Sequence, residues 1–143
     1  MKIRAATIED SAQVSVLMLQ LGYQLTPVQT AEMIHSHQKR NDEVYVGLLD
    51  NQVRAVISLI YFDYFPGAQR LCRITALVVD ESLRGQGYGT ALVELARARA
   101  KARQCSSLEL TTNFRRNKTH AYYEHLGFEK TSYKFVMPVP ANN

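Results

Sequence analysis

The chain has 143 residues, 46% hydrophobic and 21% charged, with a formal net charge of +4. This is the composition of one ordered domain, too short for a nucleotide domain plus a separate substrate domain and too apolar to be disordered. Two cysteines, Cys72 and Cys105, without a His/Cys cluster at ligand spacing, argue against a disulfide framework and against a metal site, and point to reduced, inert thiols.

The first residues, Lys2-Ile3-Arg4-Ala5, are strand-like and do not resemble a basic and then apolar leader, and no run of about 18 apolar residues follows, so a cytoplasmic location is expected. Thr7-Ile8-Glu9-Asp10 reads as a capped start. Val14, Leu17, Met18 and Leu21 then recur at helical spacing until Gly22. A second helix is predicted from Thr26-Pro27-Val28-Gln29, with Thr at the N-cap, Pro at the first helical position and Gln at the third, although the apolar stripe behind it is weak. Val44 to Leu49, the Asp50-Asn51 turn and Val53 to Tyr64 predict an antiparallel hairpin, and Pro66-Gly67 turns the chain into a further strand from Arg70 to Val79.

From Gly87, a third helix is predicted with Ala91, Leu92, Leu95, Ala98 and Ala102 as its sheet-facing stripe. Arg97, Arg99, Lys101 and Arg103 load its last turns, where cations oppose the helix dipole, and read as a solvated face. A strand from Ser107 to Thr112, a helix from Thr119 to Leu126 closed by Gly127, and a last strand from Thr131 to Val136 complete the order β-α-α-β-β-β-α-β-α-β. That order predicts an α/β fold: a mixed central sheet with an antiparallel meander and one parallel crossover, and helices on both faces. Residues 1–138 are expected to form the domain and 139–143 a short tail.

The most informative stretch is Val78-Val79-Asp80-Glu81-Ser82-Leu83-Arg84-Gly85-Gln86-Gly87-Tyr88-Gly89-Thr90, where an apolar strand enters a glycine-dense turn and a helix leaves it. Alternate glycines let successive backbone N–H groups converge on one concavity, and the helix N-terminus adds partial positive charge, so the turn suits phosphate groups. The spacing differs from the G-x-G-x-x-G dinucleotide fingerprint and from a Walker loop, which ends in Gly-Lys-Ser/Thr. Arg84-x-x-Gly87-x-Gly89 resembles the acyl-CoA pyrophosphate loop of the GNAT superfamily of N-acetyltransferases. Downstream, Thr112-Asn113 and then Tyr122-Tyr123-Glu124-His125-Leu126-Gly127-Phe128 resemble the second signature of that superfamily, an aromatic-Tyr-x-x-x-Gly-Phe helix end. The likeness covers about residues 70 to 136 and is greatest to the small-molecule branch, whose pattern the aminoalkylphosphonate acetyltransferases share.

The resemblance implies a GNAT fold, acetyl-CoA as co-substrate, no metal, and direct attack of a primary amine on the thioester without a covalent enzyme intermediate. It implies that the strand carrying Leu77, Val78 and Val79 bulges and splays, offering backbone groups to the pantetheine amides. An N–H near Val78 would face the thioester carbonyl. The pyrophosphate would lie on the amides of Gly85, Gln86, Gly87, Tyr88, Gly89 and Thr90 with Arg84 beside them, and Asn113 and Arg116 would lie near the pantetheine arm.

Tyr123 is implied as the acid that protonates the departing thiolate; with a reference pKa of about 10 it holds its proton at neutral pH. Tyr122 reads as a packing aromatic. Many relatives carry a glutamate where this chain has Thr75, and threonine cannot accept the ammonium proton. Deprotonation is left to ordered water leading to Glu109, His120 or Asp63, or to an amine that arrives neutral. Tyr61-Phe62-Asp63-Tyr64-Phe65 with Tyr23 read either as the acceptor pocket or as core and dimer surface. A small-molecule amine is the expected partner, not nucleic acid or membrane. The alternatives are acetylation of a protein or an aminoacyl-tRNA, or an acyl-CoA-binding sensor without turnover.

Overall fold

A computed structural model describes residues 1–112 and 117–141. Its elements are β1 (Lys2–Ala5), α1 (Ser11–Leu21), α2 (Pro27–Lys39), β2 (Glu43–Leu49), β3 (Gln52–Tyr64), β4 (Gln69–Val79), α3 (Tyr88–Ala102), β5 (Ser107–Leu110) and α4 (Asn117–His125). Contacts within the chain divide it into two units, Met1–Thr111 and Thr112–Asn143.

In the first unit the five strands lie in the order β1-β2-β3-β4-β5, antiparallel except for the parallel β4–β5 pair. The β2–β3 hairpin turns through Asp50 and Asn51, both at positive φ (50° and 61°), the backbone of the tight turns that match strand twist. Arg4 clamps the carboxylate of Asp10 at 2.7 and 2.9 Å, and the N–H of Thr7 donates to the same group at 2.8 Å, which joins β1 to the start of α1. Thr26 and Gln29 exchange the reciprocal hydrogen bonds of a capping box at the start of α2.

Val14 and Leu17 of α1, Ile34 of α2, and Val46, Val53, Val56 and Val78 of the sheet form one buried cluster. Leu17 is fully buried, a burial that stabilises by roughly 2–3 kcal/mol. Strand side chains alternate between faces, so Ile57, Leu59 and Tyr61 lie opposite Val56. That second face belongs to α3. Its Arg99 donates to Glu43 at 2.6 Å, and the Arg103 guanidinium sits 4.0 Å from the centroid of the Tyr61 ring.

Two expectations for α3 are corrected. Its buried stripe is Leu92, Val93, Ala96 and Ala100, while Leu95 is half-buried and Ala91, Ala98 and Ala102 are exposed. The alanines carry too little apolar area to set the rotation of the helix, and Leu92 with Val93 outweighs them. Nor is the basic end a uniformly solvated face: Arg99 and Arg103 both reach Glu43, whose carboxylate also accepts from the Tyr61 hydroxyl. Burial opposes the charge of Glu43, but the hydrogen bonds from Arg99 and Tyr61 and the charges of Arg99 and Arg103 outweigh it and lower its pKa.

In the second unit α4 ends in a Schellman cap. Gly127, at φ 103°, donates to Glu124 and Phe128 donates to Tyr123. Residues 131–136, predicted as a last strand, form none. Tyr133, Phe135 and Met137 alternate as a strand would, but a strand exists only by pairing, and among the described residues of this unit no second strand pairs with them.

Candidate functional site

The predicted irregularity of β4 is a one-residue bulge. Leu59 pairs with Ile74 and Ser58 with Ala76, so Thr75 is the extra residue. A bulge reverses the direction in which later backbone groups point. Ser106, next to β5, donates to the carbonyl of Arg70, so even-numbered β4 residues face β5 before the bulge. The N–H of Asp80 donates instead to Arg54 of β3 at 2.8 Å, so even-numbered residues face β3 after it. By alternation, the N–H and C=O groups of Leu77 and Val79 point away from β3.

β5 does not follow β4 that far. Its pairs run only from Leu71↔Ser107 to Ile74↔Leu110, and beyond Ile74 no strand among the described residues lies on that side of β4. Val78 has its side chain buried under α1, so its contribution to the edge is to hold the strand, while Leu77 and Val79 supply the outward amides.

Immediately after β4 the chain is pinned at three points. Asp80 accepts from the backbone and hydroxyl of Ser82 at 3.0 and 2.8 Å, Arg54 lies 3.4 Å from the Asp80 carboxylate, and the N–H of Glu81 donates to Gln20 of α1. Those hydrogen bonds, first of all the ones from Ser82, lower the pKa of Asp80. The chain then turns through Gly85 and Gly87, both at positive φ (80° and 86°), and a Cβ at either would meet nothing within 4 Å. The glycines are therefore required by backbone conformation, and the space above them is open.

Ala91 makes the first helical bond, to the carbonyl of Gly87, so the amides of Tyr88 and Gly89 lie ahead of the ladder at the positive end of α3. Arg84 and Gln86 are exposed beside them, and Thr90 sits in the first turn. The outward amides of Leu77 and Val79, with Val78 facing β3 between them, thus lead along the chain into the exposed turn of Arg84, Gly85, Gln86 and Gly87 and the helix start at Tyr88, Gly89 and Thr90. This fits an elongated ligand with amides in its middle and phosphates at one end.

Asn113 and Arg116 lie outside the described residues. In the second unit, Tyr123 is half-buried and its ring meets Phe128 edge-on, with centroids 5.8 Å apart. Tyr123 and Phe128 are the two residues that a Schellman cap brings together, so the spacing Tyr-x-x-x-Gly-Phe is itself the device that holds the tyrosine. Tyr122, read as a packing residue, is exposed, with its ring 5.5 Å from that of Tyr123. His120 is half-buried one turn earlier.

The candidate bases and pocket residues separate. Glu109 is ion-paired: Nε and Nη2 of Arg73 reach its carboxylate at 2.6 and 2.5 Å. Asp63 is exposed at the far end of β3, opposite Arg70. Tyr61 is on the α3 face and is used by Glu43, while Tyr23, Tyr64 and Phe65 are exposed. Phe62 instead supports the Arg73 guanidinium, 4.8 Å from its ring centroid.

The Thr75 and Ser58 hydroxyls form a pair at 2.6 Å. Sequence reasoning did not single out Ser58, Arg73 or Gln20, because their roles depend on strand register and on helix placement. Burial, first of all, with the nearby charges of Cys105 and Glu43, pushes the Cys72 thiol up to about 12, and burial also raises Cys105. Neither thiol is a ready nucleophile.

The model of the acetyltransferase (GNAT) family matches residues 14–128. An aminoalkylphosphonate N-acetyltransferase of Salmonella typhimurium is 26% identical over 137 residues, covering 94% of this chain and 89% of that protein. Among solved structures, a transcriptional regulator from Bacillus halodurans superposes with a TM-score of 0.86 at 25% identity, covering 96% of this chain and 99% of the other. A glucosamine-6-phosphate N-acetyltransferase from Arabidopsis thaliana does so with a TM-score of 0.82 at 20% identity, covering 97% and 98%.

Proposed function

The chain belongs to the acetyltransferase (GNAT) family, and from that premise we propose that it transfers acetyl from acetyl-CoA to the primary amine of a small molecule by direct attack. The observation that carries this reading is the run of outward amides at Leu77 and Val79 leading into the positive-φ turn at Gly85 and Gly87. The turn and the start of α3 would hold the pyrophosphate, with Arg84 adding charge. The amides of Leu77 and Val79 would take the place of a neighbouring strand for the pantetheine arm. The N–H of Leu77, first outward donor after the bulge, is suited to the charge that develops on the thioester oxygen.

In the step itself the amine nitrogen bonds to the acetyl carbon and the carbon–sulfur bond breaks. Tyr123 gives its hydroxyl proton to the departing sulfur. The proton released by nitrogen leaves to water, because Thr75 cannot take it and Glu109 is held by Arg73. The inert thiols agree with a route that forms no acyl-enzyme. The small-molecule reading draws support from the Salmonella typhimurium relative, an aminoalkylphosphonate acetyltransferase by name.

Thiol release from acetyl-CoA with a panel of amines tests the reading. Turnover is expected with at least one small amine among aminophosphonates, polyamines and aminoglycosides. Calorimetry showing no uptake of acetyl-CoA would overturn the proposal. Uptake without turnover on any amine would leave an acyl-CoA sensor, and a steep salt slope in RNA binding would favour an aminoacyl-tRNA acceptor.

A further inference from the structure

The face of the sheet that α1 covers at Val56 and Val78 emerges, past the bulge, as a small mixed surface. Ser58, Ile60 and Phe62 stand on it from β3, Arg73 and Thr75 from β4, and Glu109 from β5. The pairs Ile60↔Arg73 and Arg73↔Glu109, with the Ser58–Thr75 contact, set them on one side. Arg73 is the unusual member. Phe62 lies under its plane and Glu109 takes its Nε and Nη2 edge, so the guanidinium is oriented from two directions. Among the described residues no hydrogen bond engages its Nη1 donors, and the side chain is 42% exposed, so one side of the five-donor fork is open to a ligand.

Thr75 and Arg73 are two residues apart on one strand, about 7 Å. One end of this surface is therefore the hydroxyl pair beside Leu77, where the function proposed above requires the attacking nitrogen. The other end is an oriented cation. We propose that this surface is the acceptor subsite and that Arg73 binds an acidic group on the acceptor, so that the substrate class is a short amine carrying a carboxylate, phosphonate or phosphate two or three bonds from its nitrogen. Ser58 and Thr75 accept hydrogen bonds from the neutral amine. Glu109 is a positioning residue that keeps the guanidinium aimed.

This rests on the acetyltransferase reading, and the test separates the two. Wild-type protein is assayed by thiol release with 2-aminoethylphosphonate and β-alanine against ethanolamine and propylamine, over pH values at which each amine is partly neutral. The acidic amines are expected to have the higher kcat/KM. Arg73→Met is expected to lower it for them by about 10- to 100-fold, chiefly through KM, while changing the neutral amines less than threefold. Arg73→Lys is expected to fall between, because a point charge replaces a fork.

A wild-type enzyme that prefers the neutral amines overturns the proposal whether or not the variants fold. So does an Arg73→Met protein with a wild-type melting curve and acetyl-CoA affinity that loses activity equally on all four. If wild type takes up no acetyl-CoA, the acetyltransferase reading fails first and the subsite with it.

Discussion

Tyr123 is held by the cap that ends its own helix, with Phe128 against its ring, and this bears on what its hydroxyl does. A tyrosine retained only for packing would tolerate phenylalanine. A tyrosine that protonates the leaving sulfur would not. Tyr123→Phe is expected to lower kcat by roughly 10²- to 10⁴-fold, the range for a single lost acid, with acetyl-CoA affinity within a factor of about two. Single-turnover thiol release beside calorimetry checks this, and wild-type turnover in the variant would remove Tyr123 from the chemistry. The cap itself was legible in the sequence because its spacing is local: Tyr123, Gly127 and Phe128 lie within two helical turns. The pairing of Arg73 with Glu109 was not, although Glu109 stood out as a candidate base, since 36 positions separate the two and only the strand register brings them together.

The glycine turn works as one element with the strand before it and the helix after it. Gly85 and Gly87 occupy the left-handed region and nothing crowds them there, and the proposed pyrophosphate seat requires that backbone. Gly87→Ala therefore isolates the backbone cost. It is expected to destabilise the fold by about 1–2 kcal/mol and to weaken acetyl-CoA binding by about tenfold or more, with no new steric contact. Urea melts and calorimetry read the two effects separately, and unchanged affinity would mean that these amides do not seat the pyrophosphate. The hairpin and the capping box were readable because turn and cap residues announce themselves. The stripe of α3 was misread by about one position, because alanine is compatible with either side of a helix and the long side chains decide. The alternation at 131–136 was strand-like, but pairing is a property of two segments and cannot be read from one.

Two kinds of linkage act on the protein as a whole. A ligand that binds only the folded form stabilises it by mass action, so acetyl-CoA at about 100 times its Kd is expected to add about 2.7 kcal/mol, and the melting temperature to rise by roughly 8 °C at this chain length. Absence of any shift at that concentration would contradict the proposed cofactor.

The second linkage is to protons. Glu43 joins β2 to Arg99 of α3, to Arg103 just past its end and to Tyr61 of β3, and its pKa is lowered despite burial; that of Asp10, clamped by Arg4 and the Thr7 amide, is lowered too. A carboxylate whose folded pKa lies below its unfolded value near 4 stabilises the fold fully above that value, and the contribution is lost as the pH falls through the folded one. Glu43→Gln keeps the shape and removes the charge, so at pH 7 it is expected to destabilise by about 2 kcal/mol. Because wild type loses this contribution in acid and the variant has none to lose, the gap between them should narrow as the pH falls below about 4. Paired urea melts at pH 7 and pH 3 decide it. A gap of the same size at both would show that Glu43 acts through packing or neutral hydrogen bonds, and that the charge joining α3 to the sheet contributes nothing.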